Sequence, residues 1–154
     1  MNSAHFSLHD LSNADGEICE PALLAASEAV HRQLRPQLPA DYCARMAQIC
    51  AAGGRMLVAV QQQQILGLAV WRLIENTHEG RKLYVDDLVT DEQRRSSGVG
   101  AALLSRLQDY ARQHQCSSLA LDSGTQRMRA HAFYFREGMR IASFSFQKPV
   151  RGDS

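Results

Sequence analysis

Six consecutive residues, Arg95-Ser96-Ser97-Gly98-Val99-Gly100, place cationic, hydroxyl and glycine positions at the junction between two elements. Gly98 and Gly100 suit a tight turn that opens into a helix. The first N–H groups of a helix have no partners within it, and its dipole puts partial positive charge at that end. A phosphate fits such a start, and Arg94 and Arg95 add full positive charge suited to a pyrophosphate. A P-loop is excluded, because Ala101 and Ala102 stand where a Lys and a Ser or Thr are required. A dinucleotide fingerprint needs a small residue where Leu103 stands. Asp122, roughly twenty residues on, keeps that reading as a minor alternative. Upstream, Asp86 and Asp87 are set into an apolar run. A carboxylate in such a setting can attract a cation or take a proton. Since strand side chains alternate, the two acids are expected on opposite sheet faces, one towards a cleft and one under a helix or against an arginine.

The elements that must position these groups follow from periodicity. Residues 83–89 read as a strand, with eight residues between its end and Gly98. After it, Gly100, Leu103, Leu104, Leu107 and Ala111 mark the buried face of a helix. Before it come a first strand over 5–11, a helix over 22–34 closed by Pro36, and a helix over 41–50 capped by Asp41. A hairpin of strands 55–60 and 65–74 joined by a glutamine turn follows, with a further turn over 76–80. Downstream lie a short strand 119–122, a helix 126–137 stopped by Gly138, and a final half-buried strand 139–146 with alternating side chains. The order β-αα-βββ-α-β-α-β predicts an α/β (α+β) chain with a mixed, mostly antiparallel sheet and helices on both faces. The length of 154 residues predicts one domain.

The loop Arg95–Gly100 after an apolar strand resembles the acetyl-CoA pyrophosphate loop of the GCN5-related N-acetyltransferase (GNAT) superfamily. The element order is similar too. The run Ala130-His131-Ala132-Phe133-Tyr134-Phe135-Arg136-Glu137-Gly138-Met139 resembles the family's late helix, matching at Ala130, Phe133, Tyr134 and Gly138. Arg127 replaces the usual Asn and Met139 the usual Phe. The resemblance implies an acetyl-CoA-dependent N-acetyltransferase acting on an amine by direct attack. The strand end Leu88, Val89 and Thr90 would then bind the pantetheine chain, and residues Arg95, Ser96, Ser97, Gly98, Val99 and Gly100 the pyrophosphate. The N–H of Leu88 or Val89 would meet the thioester oxygen. Tyr134 would protonate the departing thiolate, as a phenol of pKa about 10 can at neutral pH. The base stays open between Asp87, Asp86 and water. A non-catalytic acyl-CoA-binding regulatory domain on the same scaffold is the competing class.

With 17 basic and 16 acidic residues the net charge is +1, which gives no global field for nucleic acid or an anionic membrane. No stretch approaches the ~20 apolar residues of a membrane helix, and no basic leader precedes the first strand, so a cytoplasmic protein is expected. Cys19, Cys43, Cys50 and Cys116 form no C-x-x-C pair and are expected to be reduced and mostly buried, with no metal. His131 reads as structural, Trp71 as core or a cleft wall, and Arg127, Arg129 and Arg136 as solvated or near the CoA 3′-phosphate. The remaining histidines share no motif. Acceptor residues are expected on the two early helices and the turn 76–80, and a homodimer is an allowed assembly.

Overall fold

A computed structural model describes residues 5–95 and 97–152. Residues up to Leu121 form one compact unit and those from Asp122 a second. In the first unit the order is β1 (Ser7–Asp10), α1 (Pro21–Ala26), α2 (Glu28–Leu34), α3 (Tyr42–Ala51), β2 (Arg55–Gln61), β3 (Gln64–Asn76), β4 (Gly80–Thr90), a 3-10 turn Glu92–Arg94, α4 (Val99–Gln113) and β5 (Ser118–Leu121). The strands lie in sequence order, antiparallel except for the parallel β4–β5 pair. This is the expected mixed α/β sheet.

One apolar cluster joins Met56, Val58, Leu68 and Val70 to Leu24, Val30, Tyr42 and Met46 of α1–α3. The other joins Leu57, Ala59, Trp71, Leu83 and Val85 to Val99, Leu103, Leu107 and Ala111 of α4. The alternation of β2 and β3 therefore feeds two helical layers, one per face. Trp71 is 2% exposed, which makes it core and not a cleft wall.

Two local expectations need correction. The helix expected over 22–34 is interrupted at Ser27, whose buried hydroxyl donates to the Leu23 carbonyl at 2.7 Å and competes with the helical ladder. Of the four free thiols, Cys50 is buried and Cys116 half-buried, but Cys19 and Cys43 are exposed.

The second unit contains α5 (Met128–Arg136), which closes at Gly138 with φ +86° and a Met139 N–H to Tyr134 carbonyl bond of 3.0 Å. The strand expected over 139–146 does not form: residues 140–150 belong to no ladder among the described residues. Ile141, Phe144 and Phe146 are 71%, 82% and 92% exposed. Alternation specifies which side chains share a face, but a strand also needs a neighbour for its backbone groups.

Candidate active site

The decisive irregularity is in β4. Val70 of β3 faces Asp87 while Trp71 faces Val85, so Asp86 is the extra residue of a β-bulge. Leu83 and Val85 pack in the α4 cluster, and so does Leu88 three positions further, whereas Val89 packs in the α1–α3 cluster. Without the bulge, Asp87 would continue the face of Leu83 and Val85. With it, Asp87 turns to α2.

There the carboxylate is held twice. His31 Nε2 lies 2.7 Å from Asp87 Oδ2, and Arg35 donates to Oδ1 at 2.8 Å. His31 is 1% exposed, and its Nδ1 lies 2.8 Å from the Tyr42 hydroxyl. Burial pushes the Asp87 carboxyl up, but the hydrogen bond and charge of His31, then Arg35, outweigh burial and hold it below the usual carboxylate range. Burial also pushes the Tyr42 phenol up, so that it stays protonated. An ionised Asp87 accepts from Nε2–H of His31, whose other ring nitrogen is held by the Tyr42 hydroxyl. Asp86 pairs instead with the partly exposed Arg72, and its carbonyl accepts from Arg35 at 3.1 Å.

Beyond the bulge the strand loses a neighbour. The β4–β5 ladder covers only Lys82 to Val85, whereas Leu88, Val89 and Thr90 pair with Ala69, Leu68 and Gly67 of β3 alone. Among the described residues no strand pairs with that edge of β4 over its last residues, so its backbone groups there are not engaged by the sheet. The start of α4 is set beside this edge by Gly67. A Cβ there would lie 2.8 Å from Val99 Cγ1 and 2.9 Å from the Val89 carbonyl oxygen, so only glycine lets the helix approach this closely.

Gly98 caps α4 in the left-handed region, at φ +85°, and no side chain caps the turn. The first helical bond is Ala102 N–H to the Gly98 carbonyl at 3.0 Å. The N–H groups of Val99, Gly100 and Ala101 therefore precede the helical ladder. Arg95 and Ser97 are exposed ahead of them, and Ser97 donates to the Arg94 carbonyl. Neither Arg94 nor Arg95 is in an ion pair among the described residues. Ser96 lies outside the described residues. An open strand edge followed by an uncapped, cation-flanked helix start can hold an extended amide chain that ends in phosphates.

In the second unit Tyr134 is half-buried on α5, with Phe133 at 5.5 Å between ring centroids. Burial raises its phenol, opposed by the charge of Arg127. His131 Nε2 lies 2.9 Å from the Gly124 carbonyl, a loop-closing contact in line with a structural histidine. Arg127, Arg129 and Arg136 are exposed.

The family model described as "Acetyltransferase (GNAT) family" matches residues 22–139. The chain belongs to the GNAT acetyltransferase family. It is thereby an acyltransferase. Among its GNAT relatives, the uncharacterized N-acetyltransferase YhdJ of Bacillus subtilis (strain 168) is 33% identical over 129 residues, covering 82% of this chain and 91% of that one. An acetyltransferase of Trypanosoma brucei shares the fold with TM-score 0.77 at 22% identity, covering 95% of this chain and 100% of that one. So does the aminoglycoside N-acetyltransferase AAC(6')-Iy in complex with CoA, with TM-score 0.80 at 15% identity and 96% of each chain covered.

His31, Arg35 and Tyr42 were not marked by any motif. The one available sign was a histidine, His31, inside the apolar stripe of Leu23, Leu24 and Val30. A cavity of about 430 Å³ lined by Ser7, His9, Glu20 and the Gln62–Gln63 turn includes no residue of 86–90 or 95–100, and we assign it no part in this site.

Proposed function

We propose that this GNAT chain transfers an acetyl group from acetyl-CoA to a primary amine by direct attack within a ternary complex. The observation that carries the reading is the end of the β4–β5 ladder at Val85 while β4 continues to Thr90. The open edge Leu88, Val89 and Thr90 takes the pantetheine amides, and Arg95, Ser96, Ser97, Gly98, Val99 and Gly100 take the pyrophosphate. That a protein with this fold is seen in complex with CoA supports acetyl-CoA as the co-substrate.

In the reaction a neutral amine nitrogen attacks the thioester carbonyl carbon, and the N–H of Leu88 or Val89 donates to the oxyanion that forms. Collapse breaks the C–S bond. The Tyr134 hydroxyl gives its proton to the thiolate, and the amine's proton leaves to water or to an acid on β4. Asp87, kept ionised by His31 and Arg35, draws a cationic amine towards the edge and is a weak acceptor. Asp86, tied to Arg72, is a surface member of the same field. Two exposed thiols fit a reducing cytoplasmic setting.

The ion pairing of both acids also favours a second reading, a non-catalytic acyl-CoA-binding domain. The test is release of free CoA from acetyl-CoA across a panel of polyamines, aminoglycosides, aminophosphonates and peptide N-termini. Amine-dependent thiol release supports transfer. Calorimetric CoA binding with no release across the panel would favour the binding domain, and no CoA binding would overturn both.

A further inference from the structure

We propose that the acceptor is a small zwitterion, an amine joined through a short carbon chain to a carboxylate or phosphonate, and that Arg35 selects it by holding the anionic end. This choice of acceptor presupposes the acetyl transfer proposed above. The Arg35 guanidinium is fixed but not used up. Its Nε donates to Asp87 Oδ1 at 2.8 Å, and its Nη2 lies 2.8 Å from the same oxygen and donates to the Asp86 carbonyl at 3.1 Å. Nη1 has no hydrogen-bond partner among the described residues, and the side chain is 38% exposed. Arg32, three positions earlier, is the contrast: its three nitrogens go to Glu28, the Leu38 carbonyl and the Pro39 carbonyl. Arg32 is spent within the protein, whereas Arg35 presents a held fork with donors left over, preorganised for a carboxylate or phosphonate oxygen.

Charge balance points to the same class. At the bulge two carboxylates meet two guanidiniums, Asp87 with Arg35 and Asp86 with Arg72. A polycation gains little where each acid already has its own cation. A zwitterion fits, because its ammonium can meet Asp87 while its anion meets Arg35, head to tail against the ion pair. Both Asp87 oxygens are engaged, yet a carboxylate oxygen accepts more than one hydrogen bond. Arg72 is tied through Nη2 alone and is more exposed, so Arg35 is the better fixed of the two cations.

The order along β4 suits the reaction. Asp87 precedes Leu88 and Val89, whose N–H is assigned to the thioester oxygen, so an amine drawn to Asp87 stands beside the carbonyl it attacks. The ammonium gives one proton to water before attack, and Arg35 keeps the anion seated through that loss of charge.

The test is release of free CoA with matched acceptors: α-amino acids against their amides, and aminoalkylphosphonates against alkylamines of the same chain length, with kcat/KM corrected for the fraction of neutral amine. The anionic member should be favoured by about 10- to 100-fold, the scale of one charged hydrogen bond, and the series that responds tells carboxylate from phosphonate. Spermidine and aminoglycosides should lag behind it. Arg35→Lys keeps a charge beside Asp87 but not the fork, and should shrink that ratio through KM. Transfer to uncharged amines or polyamines at least as good as to the anionic acceptors would overturn the proposal and leave the acetyltransferase reading intact, whereas no release with any amine would remove both. Full preference in a folded Arg35→Lys would take the role from Arg35. The wild-type ratios decide the acceptor class even where that variant fails to fold.

Discussion

His31 and Asp87, 56 positions apart, meet through a 2.7 Å hydrogen bond that the bulge at Asp86 makes available by turning the carboxylate to α2. Their contact ties a helix of the early, motif-poor part of the chain to the strand that carries the proposed cofactor edge. Breaking it should be felt in stability. Asp87→Asn removes the anion and leaves Arg35 and His31 without it, which should cost about 3 kcal/mol near neutral pH.

The same contact fixes a pH signature. Because the folded Asp87 titrates below its unfolded value of about 4, its stabilisation is fully present above that value. It is lost as pH falls through the depressed folded value. Urea unfolding from pH 2 to 7 should show wild type and Asp87→Asn converging at the acid end. A gap of constant size across that range would contradict the assignment.

Gly67→Ala should destabilise by about 1–3 kcal/mol, the scale of overpacking, since the added methyl meets both Val99 and the Val89 carbonyl. CoA affinity should fall with it, because the start of α4 must shift. Adding Val99→Ala relieves one of the two clashes and should restore part of the melting temperature, readable by calorimetric scanning. Full tolerance of Gly67→Ala would mean that the helix start is not held by this approach.

Gly98→Asp should abolish CoA binding in a folded protein. A Cβ at Gly98 meets nothing within 4 Å, so the substitution acts through the left-handed φ of +85° and through charge facing the pyrophosphate. Gly98→Ala carries the strain without the charge and should weaken binding less. Titration calorimetry with CoA separates the two. Equal affinity in all three proteins would remove the phosphate site from this helix start.

Tyr134→Phe should leave acetyl-CoA affinity unchanged and lower turnover by about 10²-fold, the scale of a lost general acid. Since burial raises the Tyr134 phenol above its usual value, the wild-type group stays a proton donor through the neutral range. Turnover in Tyr134→Phe at the wild-type rate would leave Tyr134 a packing residue beside Phe133.

Much of this was legible in local spacing. The helix start at Gly98 declared itself through two glycines and the apolar stripe of Leu103, Leu104 and Leu107, and the strand order through runs of β-branched residues. The partners of Asp87 were not legible, because His31 and Arg35 reach it, and Tyr42 reaches His31, through tertiary packing that no local pattern encodes. Nor was the bulge, since a single inserted residue leaves apolar composition unchanged while inverting every face beyond it. The segment 139–146 misled for a different reason. Its alternation is real, but a strand is a relation between two chains of backbone groups, and one sequence segment states only half of it.

At residue 86 the molecule counts positions more strictly than it reads identities. Replacing the Asp86 side chain alters one partly exposed ion pair with Arg72, of a kind worth about 1 kcal/mol or less. Deleting the residue would swing Asp87 into the oily layer beneath α4 and send Leu88 to the opposite layer, exchanging the two helical layers along the last third of the strand. Drift at this place is therefore free in letter and closed in length.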